Sequence, residues 1–591
     1  MTTERPTPLD GSPPSPPHAQ PRRVRSKRAL LVVAALVVVA GILTLLDALA
    51  VARDLRRGRD VFSALTDRGL SDDGILASEA RKGASLFGTA DRRARDSIWL
   101  GGLSKIPFLG RPARWLRSAS GTAATLGEEA AVSVDRIEPL LDAGGDPAKR
   151  LALVDLVEKE LTRLQGLVRD VRLPGTGGFL PPVSSADREL RADLTRLRGA
   201  LADGAIAARG LRSFLTGPST YVVLAANNSE MRAGGMVLQV GLLGARDGRI
   251  GAGGFRSTAE LVLDEPVPLP AEFASLYGWL EPDREWRNVG TSPNFPGVAP
   301  IYAAMAERTG VPRVDGVLQI DVLGVRSLLE VIGPVVIDGR RYDATNVERL
   351  VMHDLYVTYG NEQFERRHEF SRLAAEAFRT LTQGSSDLVD VARAVQRAAA
   401  GRHLMAWSPR PLEQRAWERL EIDGRLERDG FMVTVQNHAG NKLDWFIRPS
   451  VSLQVEHPEG RLRRIRARIS IDNPTPSGEP TYVGGDGRFV PPGDHRAFVA
   501  VYLPGWASNV SMVGHEVLVI GTDGPMRVVA TRLDIARGGS AVVEVLFNVP
   551  PEVARIILLP SARAAPVTVR LEELVVDDSV MRALAIAGAQ R

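Results

Sequence analysis

The sequence predicts an α/β domain that is preceded by a transmembrane helix and a helical stalk and followed by an all-β, sandwich-like domain. An almost uncharged run, residues 29–52, lies near the N-terminus. Apolar residues then recur at three- and four-residue steps up to about residue 215, a period typical of helices. From about residue 430 they recur at every second position, which is typical of strands.

These patterns, with the turn signals between them, divide the chain into seven segments. The predicted segments are a disordered basic cytoplasmic tail (1–28), a transmembrane helix (29–52), an extracytoplasmic helical bundle or stalk (53–215), an α/β domain (216–405), a linker (406–429), a β-sandwich-like domain (430–575) and a C-terminal tail (576–591).

The N-terminal part predicts a single-pass protein of the cell membrane, with the lipid bilayer as a partner. About 20 apolar residues span a bilayer, and residues 29–52 continue without the small-residue stop of a signal peptide, so an anchor is favoured. A basic cluster precedes them, which places the N-terminus in the cytoplasm and the bulk of the chain outside. Its members are Arg22, Arg23, Arg25, Lys27 and Arg28.

Residues 216–405 alternate strand-like and helix-like pieces, which indicates an α/β domain. The predicted strands are 220–226, 236–243, 249–255, 315–321 and 334–338, and the predicted helices are 322–332, 344–359, 364–383 and 386–401. In the following domain Val451, Leu453 and Val455 alternate with polar residues, and several such strands in series indicate an antiparallel sandwich.

Composition and missing motifs exclude several kinds of chemistry. The chain has no cysteine, so neither disulfides nor thiol chemistry are available. P-loop, zincin and nucleophile-elbow motifs are absent. The net charge is only +4 and the predicted exported part has no dense basic run, so no nucleic-acid partner is expected.

The best candidate site follows the apolar run 221–226. Asn227, Asn228, Glu230 and Arg232 gather two amides, an acid and a base at the end of a predicted core strand. Such strand ends often hold ligand sites. Arg366 and Arg367 open a predicted helix, and with Asn227 and Asn228 they are the predicted ligand-binding residues.

Arginines and amides suit a phosphorylated ligand, because guanidinium groups pair with phosphate oxygens through two hydrogen bonds. In that interpretation Glu230 and Arg232 are the catalytic pair. The metal and cofactor stay open, although one acid can hold Mg²⁺ through water. The equally weighted alternative is structural: the amides cap backbone groups, and Arg232 forms an ion pair with Glu230.

The same residues resemble the domain-of-unknown-function family 4012, found in membrane-anchored bacterial envelope proteins. The segments that carry the resemblance are 227–235, 294–296, 314–321, 333–335, Asn346 and 441–445, which include the motifs NNSEMRAGG, NFP, VDGVLQID, GPV and NKLDW. The composition, rich in Ala, Arg, Gly and Val, is similar to that of actinobacterial proteins. The family name implies no activity.

A more distant similarity is to the LytR-CpsA-Psr phosphotransferases, which implies a mixed sheet flanked by helices and a polyprenyl-pyrophosphate-linked glycopolymer as ligand. The order of strand, polar turn with Arg232, second strand, 315–321 segment and arginine-opened helix is similar. The paired aspartates of that family are replaced here by Asn227 and Asn228, and only Glu230 is acidic. The resemblance therefore implies binding or transfer of such a glycopolymer, and the competing hypothesis is a non-catalytic scaffolding or binding protein of the envelope.

Overall fold

A computed structural model describes residues 43–62, 76–107, 110–141, 146–175, 181–383, 388–457 and 463–586. The chain divides into two compact units. Unit 1 comprises Met1–Phe62, Arg81–Glu128 and Val171–Leu190, and unit 2 comprises Ser63–Ala80, Glu129–Asp170 and Arg191–Arg591.

The described chain contains sixteen α-helical segments. They are α1 (43–62), α2 (Leu76–Asp96), α3 (Ile98–Ser104), α4 (Arg111–Leu141), α5 (Pro147–Asp170), α6 (Pro181–Thr216), α7 (Ala271–Tyr277), α8 (Trp286–Val289), α9 (Phe295–Arg308), α10 (Val322–Ile332), α11 (Val347–Arg349), α12 (Leu355–Tyr359), α13 (Gln363–Gln383), α14 (Leu388–Ala400), α15 (Pro411–Arg419) and α16 (Thr481–Gly484). Between α11 and α12 a π-helical segment spans Leu350–Asp354.

Nineteen strands are described, all in unit 2. They are β1 (Ser219–Asn227), β2 (Met236–Arg246), β3 (Arg249–Ser257), β4 (Gly316–Ile320), β5 (Val335–Ile337), β6 (Arg340–Tyr342), β7 (Leu404–Trp407), β8 (Gly430–Asn437), β9 (Arg448–Glu456), β10 (Arg463–Asp472), β11 (His495–Leu503), β12 (Ser508–Val513), β13 (Val519–Asp523), β14 (Met526–Ile535), β15 (Ser540–Val549), β16 (Arg555–Leu558), β17 (Thr568–Leu571), β18 (Leu574–Asp577) and β19 (Arg582–Ala585).

The predicted fold class is wrong in its transmembrane helix. Residues 1–42, which hold the basic tail and most of that segment, lie outside the described residues. Residues 43–62 form α1, but charged residues follow from Arg53 onward and interrupt the apolar run. A survey of the described helices finds none that is both long enough and apolar enough to cross a membrane. The described residues instead form helices followed by strands in four sheets.

Unit 1 is helical in its described part. Its apolar core joins α1, α2, α3 and α4 through Val51, Ala90, Leu100 and Trp115, all of them buried. The Trp115 indole Nε1 donates to Asp187 Oδ1 at 2.7 Å, so the polar tip of this large ring is satisfied inside the core.

The α/β part of unit 2 contains a five-stranded sheet in the order β3-β2-β1-β4-β7. Strands β1 and β4 are parallel, whereas the other neighbours in this sheet pair antiparallel. The carboxyl ends of β1 and β4 therefore meet at one edge, with Asn227 ending the first and Asp321 following the second. The predicted strand 334–338 pairs with β6 in a separate two-stranded sheet.

Two six-stranded sheets form the β part of unit 2, in the orders β12-β15-β10-β9-β17-β18 and β13-β14-β11-β8-β16-β19. Alternate residues of both sheets share one core, in which Phe431, Leu453, Ile469, Val499 and Phe547 are fully buried. The period of two in the sequence arises because successive side chains of a strand point to opposite faces.

Gly316 provides a test of the packing around the central sheet. A Cβ atom at this position of β4 would lie 2.3 Å from the Tyr221 ring and 2.7 Å from the Trp407 carbonyl oxygen. We expect Gly316→Ala to lower the free energy of unfolding by about 1–3 kcal/mol, because overpacking displaces buried neighbours. Denaturant titration measures this change.

Gly253→Ala is the matched control, since a Cβ there has no heavy atom within 4 Å. This variant should be neutral or slightly stabilising, because alanine loses less backbone entropy than glycine on folding. Equal losses in both variants would contradict the close approach of β4 to Tyr221.

Candidate functional site

Asn227 ends β1, Asn228 follows it in the turn, and both are buried. The Asn227 amide Nδ2 donates to the Val351 carbonyl at 3.2 Å and to the Tyr356 hydroxyl at 3.1 Å, and its Oδ1 accepts from Ser229 N at 2.9 Å. This last bond closes a local turn, as asparagine side chains commonly do. The amide of Asn227 therefore holds the turn to the π-helical segment.

Asn228 joins the turn to α10 and to the C-terminal part of unit 2. Its Nδ2 donates to Asp321 Oδ2 at 2.9 Å and to the Ala562 carbonyl at 2.8 Å, while Oδ1 accepts from Val322 N at 3.3 Å. Asp321 Oδ1 caps α10 by accepting from Leu323 N and Gly324 N.

Asp321 also contacts a histidine. The His403 Nδ1 atom lies 2.8 Å from Asp321 Oδ2, the oxygen that Asn228 shares. The nitrogen and the oxygen of the Asn228 side-chain amide both have protein partners, as buried amides require.

Glu230 forms a buried ion pair with Lys442, whose Nζ bonds to Glu230 Oε2. Burial lowers the pKa of Lys442, but Glu230 and Tyr356 outweigh that effect and the pKa is raised overall. The ammonium also lies 5.7 Å from the centroids of the Tyr356 and Tyr482 rings. Glu230 is therefore a structural counter-ion in this arrangement.

Arg232 is buried beside the turn. Its Nη1 donates to the Asn437 carbonyl at 2.7 Å and its Nη2 donates to Asn288 Oδ1 at 3.0 Å. Burial lowers the pKa of the Arg232 guanidinium, and the negative charges of Glu230 and Asp444 oppose that shift. The guanidinium ties β1 to β8 and α8.

Arg366 and Arg367 differ in burial and in hydrogen-bond partners. Arg366 is buried, and its guanidinium carbon lies 4.7 Å from the Tyr356 centroid and 4.2 Å from the Tyr482 centroid. Its Nη2 donates to the Tyr482 hydroxyl at 2.6 Å. Arg367 is half-buried and donates to Gln363 Oε1 at 2.7 Å, one turn earlier on α13.

Asp444 joins the turn to the sandwich. Its Oδ2 accepts from Met231 N and from Asn437 Nδ2, each at 3.0 Å, and its Oδ1 accepts from Arg563 Nη1 at 3.1 Å. Both Asp444 and Arg563 are almost completely excluded from solvent. Lys442 and Asp444 fall inside the NKLDW motif, so the family resemblance is the sequence signal that points to them; Arg563 has no such signal.

An apolar cavity lies beside this cluster, at the carboxyl ends of β1 and β4. Its free volume is about 60 Å³. The walls come from the sheet, α10, the π-helical region and α13, through Ala225, Ile320, Val325, Val351, Phe370 and Ala374 among others. Of the predicted site residues, Asn227 lines this cavity, whereas Glu230, Arg232, Arg366 and Arg367 do not. The structure therefore brings the turn residues together in a bonded cluster beside a cavity.

The side chains that could hold a metal ion are the acids and histidines of the chain. No group of three or more histidine, aspartate and glutamate side chains in the described ranges is placed to hold a metal ion. Glu230, the predicted acid for Mg²⁺, is already bonded to Lys442. The roles of the predicted site residues in catalysis or ligand binding stay predictions.

Comparison with known families agrees with the resemblance carried by the turn. Residues 216–356 match the family model described as "Protein of unknown function (DUF4012)", which covers roughly a quarter of the chain and includes the turn and the segment up to the π-helical region. The predicted family is thereby confirmed for this segment. A search of curated proteins and a search of solved structures each returned no significant match.

The Glu230–Lys442 pair predicts a specific stability effect. Lys442→Met leaves a buried carboxylate without its counter-ion, so we expect the free energy of unfolding to fall by about 3–5 kcal/mol. The double variant Glu230→Gln/Lys442→Met should lose less than Lys442→Met alone, because no unpaired charge remains. Denaturant titration of all three proteins measures the coupling.

The exposed pair of Arg496 and Asp534 is the control for that cycle. Arg496→Met should change the free energy of unfolding by no more than about 1 kcal/mol, as surface ion pairs do. A double variant as unstable as Lys442→Met would contradict the assignment of Glu230 as a buried counter-ion.

The lowered pKa of His438 should make the stability of the folded protein depend on pH. Burial, together with Arg232 and Arg532, lowers the pKa of His438 to about 3. The unfolded chain therefore binds more protons than the folded chain between pH 6.5 and pH 3, and this residue's contribution to stability falls as the pH falls through that window.

We expect His438→Gln to gain stability relative to the parent as the pH is lowered, by at most about 1.4 kcal/mol per pH unit. Urea titrations at several pH values measure the difference between the two proteins. A constant difference across the window would show that His438 is not held neutral by its surroundings.

Proposed function

We propose that this protein is a non-catalytic binding protein whose α/β part holds one end of an apolar, chain-like ligand of the polyprenyl-phosphate class. The single observation that carries the proposal is the cavity at the carboxyl ends of β1 and β4, which is lined mostly by apolar side chains. The hydrogen bonds of the polar turn beside it hold the turn to the elements that form the cavity walls.

The lining favours an apolar occupant over water. Asn227, Gln239 and Asp321 are the polar residues among the cavity walls, and each already has protein hydrogen-bond partners. A buried water needs two to four polar partners, so walls whose polar groups are already bonded offer water little and favour apolar groups. A volume of about 60 Å³ is roughly four to six times the minimum for one water. That volume suits a branched group of a few carbons, such as a terminal isoprene unit.

The position of the cavity also supports binding. Ligands of open α/β sheets bind outside the carboxyl ends of the strands, and the cavity touches Ala226 at the end of β1 and Ile320 at the end of β4. One wall is formed by Val351 of the π-helical segment. Single π-helical turns within α-helices are frequent at functional sites.

Transfer chemistry receives less support than binding. A phosphoryl-type transfer needs charged groups aimed at a shared space where charge develops. Here the charge of Glu230 is directed at Lys442, Arg232 is bonded to the Asn437 carbonyl, and Arg366 is stacked on two tyrosines. These residues therefore fit binding of the expected polyprenyl-phosphate class better than phosphoryl-type transfer.

The headgroup of such a ligand would lie at the rim of the cavity. Gln239 accepts from Ser371 Oγ at 2.6 Å and donates to the Arg367 carbonyl at 3.3 Å, so the backbone of Arg367 lies next to the cavity wall, while its guanidinium bonds to Gln363. Arg367 is the half-buried member of the predicted phosphate-binding arginines. A phosphate at the rim could pair with this guanidinium.

Filling the cavity tests this function. Ala374 lines the cavity from α13, so Ala374→Phe should place a ring where the ligand end sits and weaken binding of geranylgeranyl monophosphate at least about tenfold, the loss of one well-buried apolar contact. Equilibrium dialysis with the labelled lipid on the full chain measures the change. Inorganic phosphate and geranylgeraniol, tested in parallel, separate headgroup binding from chain binding.

Ala375→Phe is the matched control, because Ala375 is the next residue of α13 and does not line the cavity. This variant should bind the lipid as the parent does. Failure of the parent to bind either lipid would reject the binding function and leave the scaffolding hypothesis. Equal binding by all three proteins would place the ligand elsewhere.

A further inference from the structure

An exposed apolar surface lies on unit 1, far in sequence from the cavity. We name it the α3 patch, and it consists of Leu45, Leu46, Leu49, Ile98, Trp99 and Ile106. Ile98 is 83% exposed and the three leucines are 56–59% exposed. Trp99 and Ile106 expose two fifths of their surface or more. Soluble surfaces rarely leave several large apolar side chains together in solvent without a partner.

The two parts of the α3 patch are held side by side. The Ser97 hydroxyl bonds to Asp47 Oδ2 on α1, and the same hydroxyl accepts from Leu100 N at 3.0 Å to cap α3. Leu100 then enters the same core as Val51 of α1. This contact places the start of α3, with Ile98 and Trp99, beside the part of α1 that carries the three exposed leucines.

Positive charge surrounds this surface. Four basic residues and no acidic residue occur between Ser97 and Gly127: Lys105, Arg111, Arg114 and Arg117. Arg114 Nη1 donates to the carbonyl of Ser104 at 2.5 Å and to that of Ile106 at 3.5 Å, which keeps the guanidinium at the end of the patch. Lys105 is exposed. Two acids lie beside the patch: Asp47, which is bonded to Ser97, and the exposed Asp96, which precedes Ser97 in the chain.

We propose that the α3 patch rests on the surface of an anionic lipid bilayer. Short amphipathic elements with Trp, Leu and Ile on one side and Lys or Arg beside them lie in the plane of the interface, with the apolar side among the headgroups and upper acyl chains. Tryptophan favours this depth because its ring is apolar with one polar N–H. Anionic lipids attract the flanking lysine and arginines. The contact needs no helix that crosses the bilayer, and it is independent of the ligand proposed for the cavity.

The absence of cysteine from the chain makes a local test possible. Ile98→Cys introduces a single thiol, which is labelled on the purified full chain with an environment-sensitive nitrobenzoxadiazole dye. Vesicles of phosphatidylcholine mixed with phosphatidylglycerol should raise the dye emission and shift it to shorter wavelength. Vesicles of phosphatidylcholine alone should produce a weaker response at the same lipid concentration.

Thr125→Cys, labelled in the same way, is the matched control. Thr125 is exposed on α4, and fourteen residues of helix separate it from Arg111, or roughly 20 Å along the axis. Its dye should not respond to vesicles. Adding Lys105→Glu to the Ile98→Cys protein should raise the lipid concentration for half-maximal response about fivefold or more, since a basic residue near an anionic surface contributes about that factor.

Three results would overturn the proposal. The first is no difference between the dyes at positions 98 and 125 when anionic vesicles are added. The second is a dye at position 98 that is already shielded without lipid, in a manner that depends on protein concentration, which would assign the patch to a second copy of the chain. The third is the same shielding at every protein concentration, which would mean that another segment of this chain covers the patch.

Discussion

The carboxylate of Asp444 joins three distant parts of unit 2. One oxygen accepts from the backbone N–H of Met231 in the strand-end turn and from the Asn437 side chain at the end of β8, and the other accepts from Arg563. Removing two charges from water costs several kcal/mol per ion, and the attraction between them offsets this only when the remaining hydrogen bonds are made. The Asp444–Arg563 pair meets most of that condition, because Arg563 also donates to the Val435 and Asp444 carbonyls and only its Nε atom finds no partner among the described residues.

The turn between β1 and β2 takes its shape from this constraint. Gly235 has a φ of +83°, a backbone conformation that glycine adopts without strain, and a Cβ on Gly234 would lie 2.8 Å from Gln319 Nε2. The two glycines let the chain reverse tightly between the sheet and the sandwich. As a result the side chains of Asn227, Asn228 and Arg232 point into protein, where they join elements that are far apart in sequence.

Much of the architecture can be predicted from the sequence because it depends on local periodicity. The predicted strands 220–226, 236–243 and 249–255 fall within β1, β2 and β3, and the helix 322–332 coincides with α10. Strand β7 has four residues and is separated from the end of α14 by three residues, so it is too short to show an alternating pattern. The π-helical turn within the predicted helix 344–359 depends on a shift of hydrogen-bond register that side-chain periodicity does not show.

The candidate site was harder to predict for the same physical reason. A cluster of amides, acid and base at a strand end has the same sequence pattern whether it faces a ligand or a neighbouring domain. Which one it faces depends on partners such as Arg563, which is separated from the turn by more than 300 residues and lies in no recognisable motif. Similarly, residues 29–52 are long enough for a membrane span by count alone, yet the described helix continues into a charged sequence from Arg53.

The cavity beside the turn has an energetic consequence that argues for an occupant. Atoms that line an apolar hollow of about 60 Å³ lack packing partners on one side and lose the dispersion energy of those contacts. Three alanines, Ala225, Ala226 and Ala374, line it where larger apolar side chains would reduce the space. The strand-end turn and α13, which adjoin or form the walls, are bonded to the β part of unit 2 through Asp444 and Tyr482. An apolar ligand of the proposed class would fill this space and restore the missing contacts.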